Sequence, residues 1–85
     1  NRVNIMAENK FEQLRNEGFN SLTNGTYTFT NELDVSIGSP RSATYTVTTP
    51  VAGQKQIIID VFYAEKNQTR TLQYRSLISE LGVAQ

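Results

Sequence analysis

Two carboxylates two positions apart, Glu32 and Asp34, come closest to a reactive cluster in this sequence. On an extended strand such residues share a face, so the pair can offer oxygens to a hard cation such as Ca²⁺. Solvated carboxylates at the end of a strand are the plainer reading. No metal centre is expected, and Glu32 and Asp34 are the pair to watch.

Catalysis has little else to draw on. The 85 residues include no His and no Cys, which removes the usual neutral-pH base, the thiolate nucleophile and the commonest ligands for zinc. Lys10, Lys55 and Lys66 stand at no S-x-x-K spacing to a serine, and Asp34 and Asp60 fall on different predicted strands. Gly38, Gly53 and Gly82 are isolated turn glycines that form no phosphate-cradling loop. The chain is expected not to be an enzyme and to carry no cofactor. Eight Lys and Arg balance eight Asp and Glu, so no long-range field draws in nucleic acid, and none is expected as a partner.

Two further patterns are surface features. Thr26, Thr28, Thr30, Thr44, Thr46, Thr48, Thr69 and Thr71 line one face if their strands pair in register. Such a row can dock ordered water or carbohydrate, although threonine also simply suits a half-exposed strand, and that is the reading adopted. Asn24-Gly25-Thr26 and Asn67-Gln68-Thr69 match the N-x-T glycosylation pattern in predicted turns. Unmodified turn residues are the expectation there.

The elements that hold these residues follow from periodicity. At 100° per residue, Val3, Ala7, Phe11, Leu14 and Gly18 fall within an arc of roughly 80°. Met6 flanks that stripe, while Glu8, Asn9, Glu12 and Asn16 lie on the wet side. This predicts a helix over 1–22, stopped by Asn24-Gly25, with Gly18 weakening its last turns by about 1 kcal/mol. Ile5 stands opposite the stripe. Beyond Gly25 the period becomes two, predicting strands around Tyr27 and Phe29, Leu33 to Ile37, Tyr45 and Val47, Gln56 to Ala64 and Thr69 to Arg75. Gly38-Ser39-Pro40 reads as a turn, Pro50 to Gln54 as a loop and Glu65 to Gln68 as a hairpin turn. The tail 76–85 suits either a last strand or a helical turn.

The expected fold is α+β in one domain spanning 1–85. An N-terminal amphipathic helix packs on a three- to four-stranded antiparallel sheet formed within 23–85. The expected core is Val3, Ala7, Phe11, Leu14, Tyr27, Phe29, Tyr45, Val47, Ile57, Ile59, Val61, Tyr63, Leu72 and Tyr74. The densest apolar run, Ile57-Ile58-Ile59, stops at Asp60, short of the ~20 residues that span a bilayer.

Two stretches carry a family resemblance. Ala7 to Leu22, with Glu12-Gln13-Leu14-Arg15 followed by Phe19 and Leu22, resembles the membrane-distal end of the long helix of type IV pilin-like proteins. Lys55-Gln56-Ile57-Ile58-Ile59-Asp60-Val61-Phe62-Tyr63, with Thr69-Arg70-Thr71-Leu72, is similar to that family's sheet hairpin. The start at Asn1, inside a helix and without Met, is what a soluble truncation of such a protein shows.

The resemblance implies the soluble head of a minor pilin or pseudopilin, the absence of a Cys pair pointing away from the major pilins. It implies a structural subunit of a type IV pilus, a type II secretion system or a DNA-uptake filament. Prepilin-type methylation, an apolar anchor helix upstream and other pilin subunits as partners come with it. The location implied is extracytoplasmic: first anchored in the inner membrane, then in a cell-surface or periplasmic filament. On this view Arg2, Ile5, Glu8, Glu12 and Arg15 on the outer helix face are candidate subunit contacts. Ile58 and Phe62, on the sheet face opposite Ile57, Ile59 and Val61, are either contacts too or covered by the loop over 32–41. The isolated head is expected to be monomeric. The alternative is a free-standing extracytoplasmic α+β binding module that uses its sheet face or the 32–41 loop.

Overall fold

The computed structural model describes residues 2–33, 37–80 and 82–83, and its helix is shorter than the periodicity predicts. Helix α1 runs Arg2–Glu17 and stops at Gly18, whose φ of 93° is left-handed space that glycine enters without steric cost. A short 3₁₀ turn, Phe19–Ser21, follows. The expected helix over 1–22 is therefore corrected. Gly18 does not merely weaken the helix but ends it, with its N–H donating back to the Arg15 carbonyl at 3.1 Å.

The stripe itself is where the sequence places it. Val3, Ala7, Phe11 and Leu14 are all buried. Phe11 meets Tyr74 at 5.7 Å between ring centroids, which sets α1 over the sheet. After the 3₁₀ turn, Leu22 enters the core. Two side chains fix the link there: Lys55 donates to the Leu22 carbonyl, and the Tyr27 hydroxyl donates to the Thr23 carbonyl at 2.6 Å.

The sheet is antiparallel throughout, in the order β1-β2-β3-β4-β5. Its four main strands are β1 (Gly25–Thr28), β2 (Gly38–Thr48), β3 (Gln54–Glu65) and β4 (Gln68–Ser79). A two-residue β5 (Gly82–Val83) adds a fifth at the edge. Chain order and spatial order coincide, the arrangement that short connections favour. β3 and β4 pair over their whole length, from Glu65↔Gln68 to Gln54↔Ser79, across a two-residue turn. Lys66 and Asn67 both have positive φ, 51° and 66°, as a tight hairpin with right-handed strand twist requires.

Three further expectations are corrected. Gly38-Ser39-Pro40 is not a turn: β2 runs through it, with a bulge in the pairing between Gly38 and Ser42. Pro40 is tolerated because β1 pairs only with 44–47, so this end of β2 lies on an edge where a missing donor costs little. The stretch beyond Phe29 is not a strand: Phe29 leaves β1, Thr30–Glu32 forms a second 3₁₀ turn, and Thr30 bonds the Ala43 main chain through its hydroxyl. Within the predicted strand from Leu33 to Ile37, residues 34–36 lie outside those described, while Leu33 and Ile37 are buried. Finally, Tyr27 is an exposed edge residue rather than core. It stacks on Tyr45 at 5.0 Å, on the sheet's flank beyond the helix.

The remaining core positions hold, with Tyr45, Leu72 and Tyr74 half-buried against the cluster. Leu22, Leu33, Ile37, Ala43 and Ile78 complete it. In the tail 76–85 the described residues include strand: β4 continues to Ser79, burying Ile78, and 82–83 form β5, while residues 81, 84 and 85 lie outside those described.

Candidate functional site

The helix presents its second face to solvent. Ile5 is 55% exposed, and Glu8 and Glu12 stand beside it at helical spacing on the same outer side. Arg15 is held by Glu12, three residues back, which leaves Ile5 and Glu8 as the groups this face offers most freely. Arg2 opens α1, but its side chain lies outside the described residues. Periodicity places Ile5, Glu8, Glu12 and Arg15 on this outer side, as expected, while the Glu12–Arg15 pair is revealed only by the rotamers.

The second surface is the sheet face turned away from α1. The register puts Thr26 opposite Thr46 and Thr28 opposite Thr44, with Thr69 and Thr71 opposite Ala64 and Phe62. Seven of the eight expected threonines therefore share this face, and only Thr30 is elsewhere. The Thr26 and Thr46 hydroxyls bond each other at 3.1 Å. Ile58 and Phe62 flank Asp60 here, Phe62 being 37% exposed and Ile58 half-buried. A polar bridge crosses between them: Gln73 donates to Asp60 at 2.9 Å and accepts from Arg75 at 2.9 Å. The described part of the 32–41 loop sends Leu33 and Ile37 into the core. Among the described residues, no element is stacked on this face.

A third arrangement was not foreseen. Lys10 is only 7% exposed, and its ammonium donates to both carboxylate oxygens of Glu32, at 3.1 and 3.2 Å. Two ring faces complete its surroundings, Phe29 at 5.0 Å and Tyr45 at 5.4 Å from Nζ to centroid. The signal was in the wheel: Lys10 sits roughly 20° from Val3, between the buried arc and the flanking Met6. Met6, Asn9, Lys10, Gln13, Phe29 and Glu32 line an open recess of about 210 Å³ beside this clamp.

The clamp alters the reading of Glu32. Its carboxylate is already neutralised by Lys10, and it sits in a 3₁₀ turn rather than on a strand face. Asp34, the other half of the expected cation pair, lies outside the described residues. Among those described, no three acidic side chains gather as a metal-ligand set. Nearby, burial pushes the Tyr45 phenol above its ordinary value, and Glu17, Tyr27 and Glu32 add to that shift. Asn24 and Asn67 are exposed in turns, as their flanking residues predict.

Among the described residues, no helix is long and apolar enough to cross a membrane. Compared with known proteins, the chain matches no family model, no curated protein and no solved structure. Among the described residues, the helix is buried along one side and the sheet is covered by the helix on one face.

Proposed function

We propose that this chain is the soluble head of a pilin-like structural subunit, a minor pilin or pseudopilin that works by packing against neighbours in a filament. The observation that supports this reading is the division of α1. Its buried stripe clamps a single-layer sheet, while the opposite side carries an exposed Ile5 between charged residues. In a filament the buried stripe keeps helix and head one rigid body, and the outer side meets the next subunit. An apolar helix upstream of Asn1 then supplies the anchor and the filament core, and the head contributes weaker, polar contacts. Exposed ion pairs contribute only about 0–1 kcal/mol each, so the isolated head is monomeric at micromolar concentration.

The threonine-rich sheet face, which no other described element covers and on which Phe62 is exposed, supports a second reading, that of a free-standing extracytoplasmic binding module. One experiment separates the two. The full-length protein is expressed with Ile5→Asp and Glu8→Lys, and in parallel with Phe62→Ser, and incorporation into sheared filaments is measured. The filament reading expects loss of incorporation from the helix variant with the fold intact. Normal incorporation of that variant, or an upstream coding sequence without an apolar segment of ~20 residues, overturns it.

A further inference from the structure

Of the chain's eight asparagines, only Asn24 is followed by glycine, and the fold dictates that glycine. Gly25 has φ 149°, and a Cβ there would come within 3.3 Å of the Tyr27 hydroxyl oxygen. Tyr27 is not free to yield, because that hydroxyl is bonded to the Thr23 carbonyl at 2.6 Å. The main-chain nitrogen after Asn24 is therefore the one such nitrogen in the chain with no side chain screening it. The electrophile is prepared as well: the Thr49 hydroxyl donates to Asn24 Oδ1 at 3.1 Å, drawing electron density from Cγ. Both residues are exposed, and Gly25 opens the four-residue edge strand β1. Its pairing with Val47 is the terminal rung of that strand, where local opening is cheapest.

We propose that Asn24–Gly25 is a self-modifying site at which the chain converts its own asparagine to aspartate and isoaspartate. The Gly25 nitrogen gives up its proton to hydroxide and attacks Asn24 Cγ. A C–N bond forms, and the Thr49 hydroxyl stabilises the charge that builds on Oδ1. The Cγ–Nδ2 bond then breaks, and Nδ2 takes a proton from water and leaves as ammonia. The resulting succinimide is opened by one water. Attack at Cγ returns the normal backbone with an aspartate, and attack at the main-chain carbonyl leaves the peptide running through Cγ as isoaspartate. The balance is one water consumed and one ammonia released, with no redox partner.

The product changes the molecule in two ways. A chain of zero net charge becomes negative, and isoaspartate inserts one carbon into the main chain where β1 joins the link from α1. It also removes the acceptor from Asn24-Gly25-Thr26, so any glycan at this turn must arrive before the cyclisation.

The test is incubation of the folded chain in warm, mildly alkaline buffer. Labelling by an isoaspartyl methyltransferase and fragment mass spectrometry then map the modified residue. Label at Asn24 ahead of every other asparagine is expected. Thr49→Val should slow its appearance by about threefold, an exposed donor counting for far less than those of an enzyme's oxyanion hole. Thr49→Ser, which keeps the hydroxyl, should restore the wild-type rate. Label spread evenly over the asparagines, or Asn24 intact in the folded chain while it converts in urea, overturns the site. Equal rates for Thr49→Val and wild type overturn the part given to the hydroxyl.

Discussion

Lys10 and Glu32 are 22 positions apart, yet the Lys10 ammonium bonds both Glu32 oxygens from a site that water scarcely reaches. Among the described residues, this is the ion pair that ties α1 to the segment following β1. Removing one partner of such a pair costs more than removing both, because the survivor is left charged and unpaired. Glu32 is 56% exposed and can return to water, whereas Lys10 cannot. Glu32→Gln should therefore destabilise the fold by about 1–2 kcal/mol. Lys10→Met combined with Glu32→Gln should be the more stable variant. Urea denaturation orders the two, and a double variant weaker than the single would show that Lys10 is held chiefly by the Phe29 and Tyr45 rings.

Leu14 is 1% exposed on the buried stripe, with Glu12 two residues back on the wet side. Leu14→Ala should cost about 2–5 kcal/mol, the range for emptying a packed core site. Glu12→Ala loses only a surface pair with Arg15 and should cost under about 0.5 kcal/mol. Equal urea midpoints for the two would place the helix the other way round.

Tyr45 contributes a pH dependence at the alkaline end. Its folded-state pKa is raised, first by burial, so above the ordinary value near 10 the unfolded chain loses this proton before the folded one does. Unfolding is then favoured as pH climbs. The stability Tyr45 contributes is complete below pH ~10 and lost as pH rises through the folded value. Tyr45→Phe removes the titration and should flatten the fall in stability at alkaline pH. A fall of unchanged steepness, followed by circular dichroism in moderate urea, would assign the effect elsewhere.

Calcium should leave the thermal midpoint where it is. Ligand-linked stabilisation needs a native site, and the Glu32 carboxylate is already occupied by Lys10. A calcium-dependent rise of several degrees, abolished by Asp34→Asn, would show that Glu32 exchanges Lys10 for the cation.

What could be read from the sequence divides along physical lines. Burial stripes were legible because period alone sets them: Val3, Ala7, Phe11 and Leu14 on the helix, Ile57, Ile59 and Val61 on the sheet. The Glu65–Gln68 turn was legible because few residues other than Asn and Gly accept positive φ as Asn67 does. Lengths were not. Gly18 was counted as a small propensity cost, when its backbone freedom lets the chain turn and bring Leu22 down onto the core. Pro40 looked like a stop, because only the pairing partners reveal that β2 runs along an edge there. The Lys10 clamp escaped because its partners, Phe29, Glu32 and Tyr45, come together only once β1 and β2 are paired. Of the candidate contacts, Ile5, Glu8, Phe62 and Ile58 fell on the faces expected of them. Asp34 and the Arg2 side chain lie outside the described residues.

The Lys66–Asn67 turn also fixes an order of events in time. Twelve β3–β4 rungs are closed by a loop of two residues, so their loop-closure entropy is about the lowest a pairing can have, and hairpins of this kind form in roughly 1–10 μs. Helix α1 is far from β4 in sequence and has no apolar surface to dock on until β3 and β4 lie side by side. The folding transition state should therefore contain the hairpin and lack the helix contact. In chevron analysis, Val61→Ala should show φ above about 0.5 and Leu14→Ala below about 0.3. Destabilising the helix stripe would then speed unfolding while barely slowing folding. The reverse pattern would mean that the helix, and not the hairpin, organises the chain.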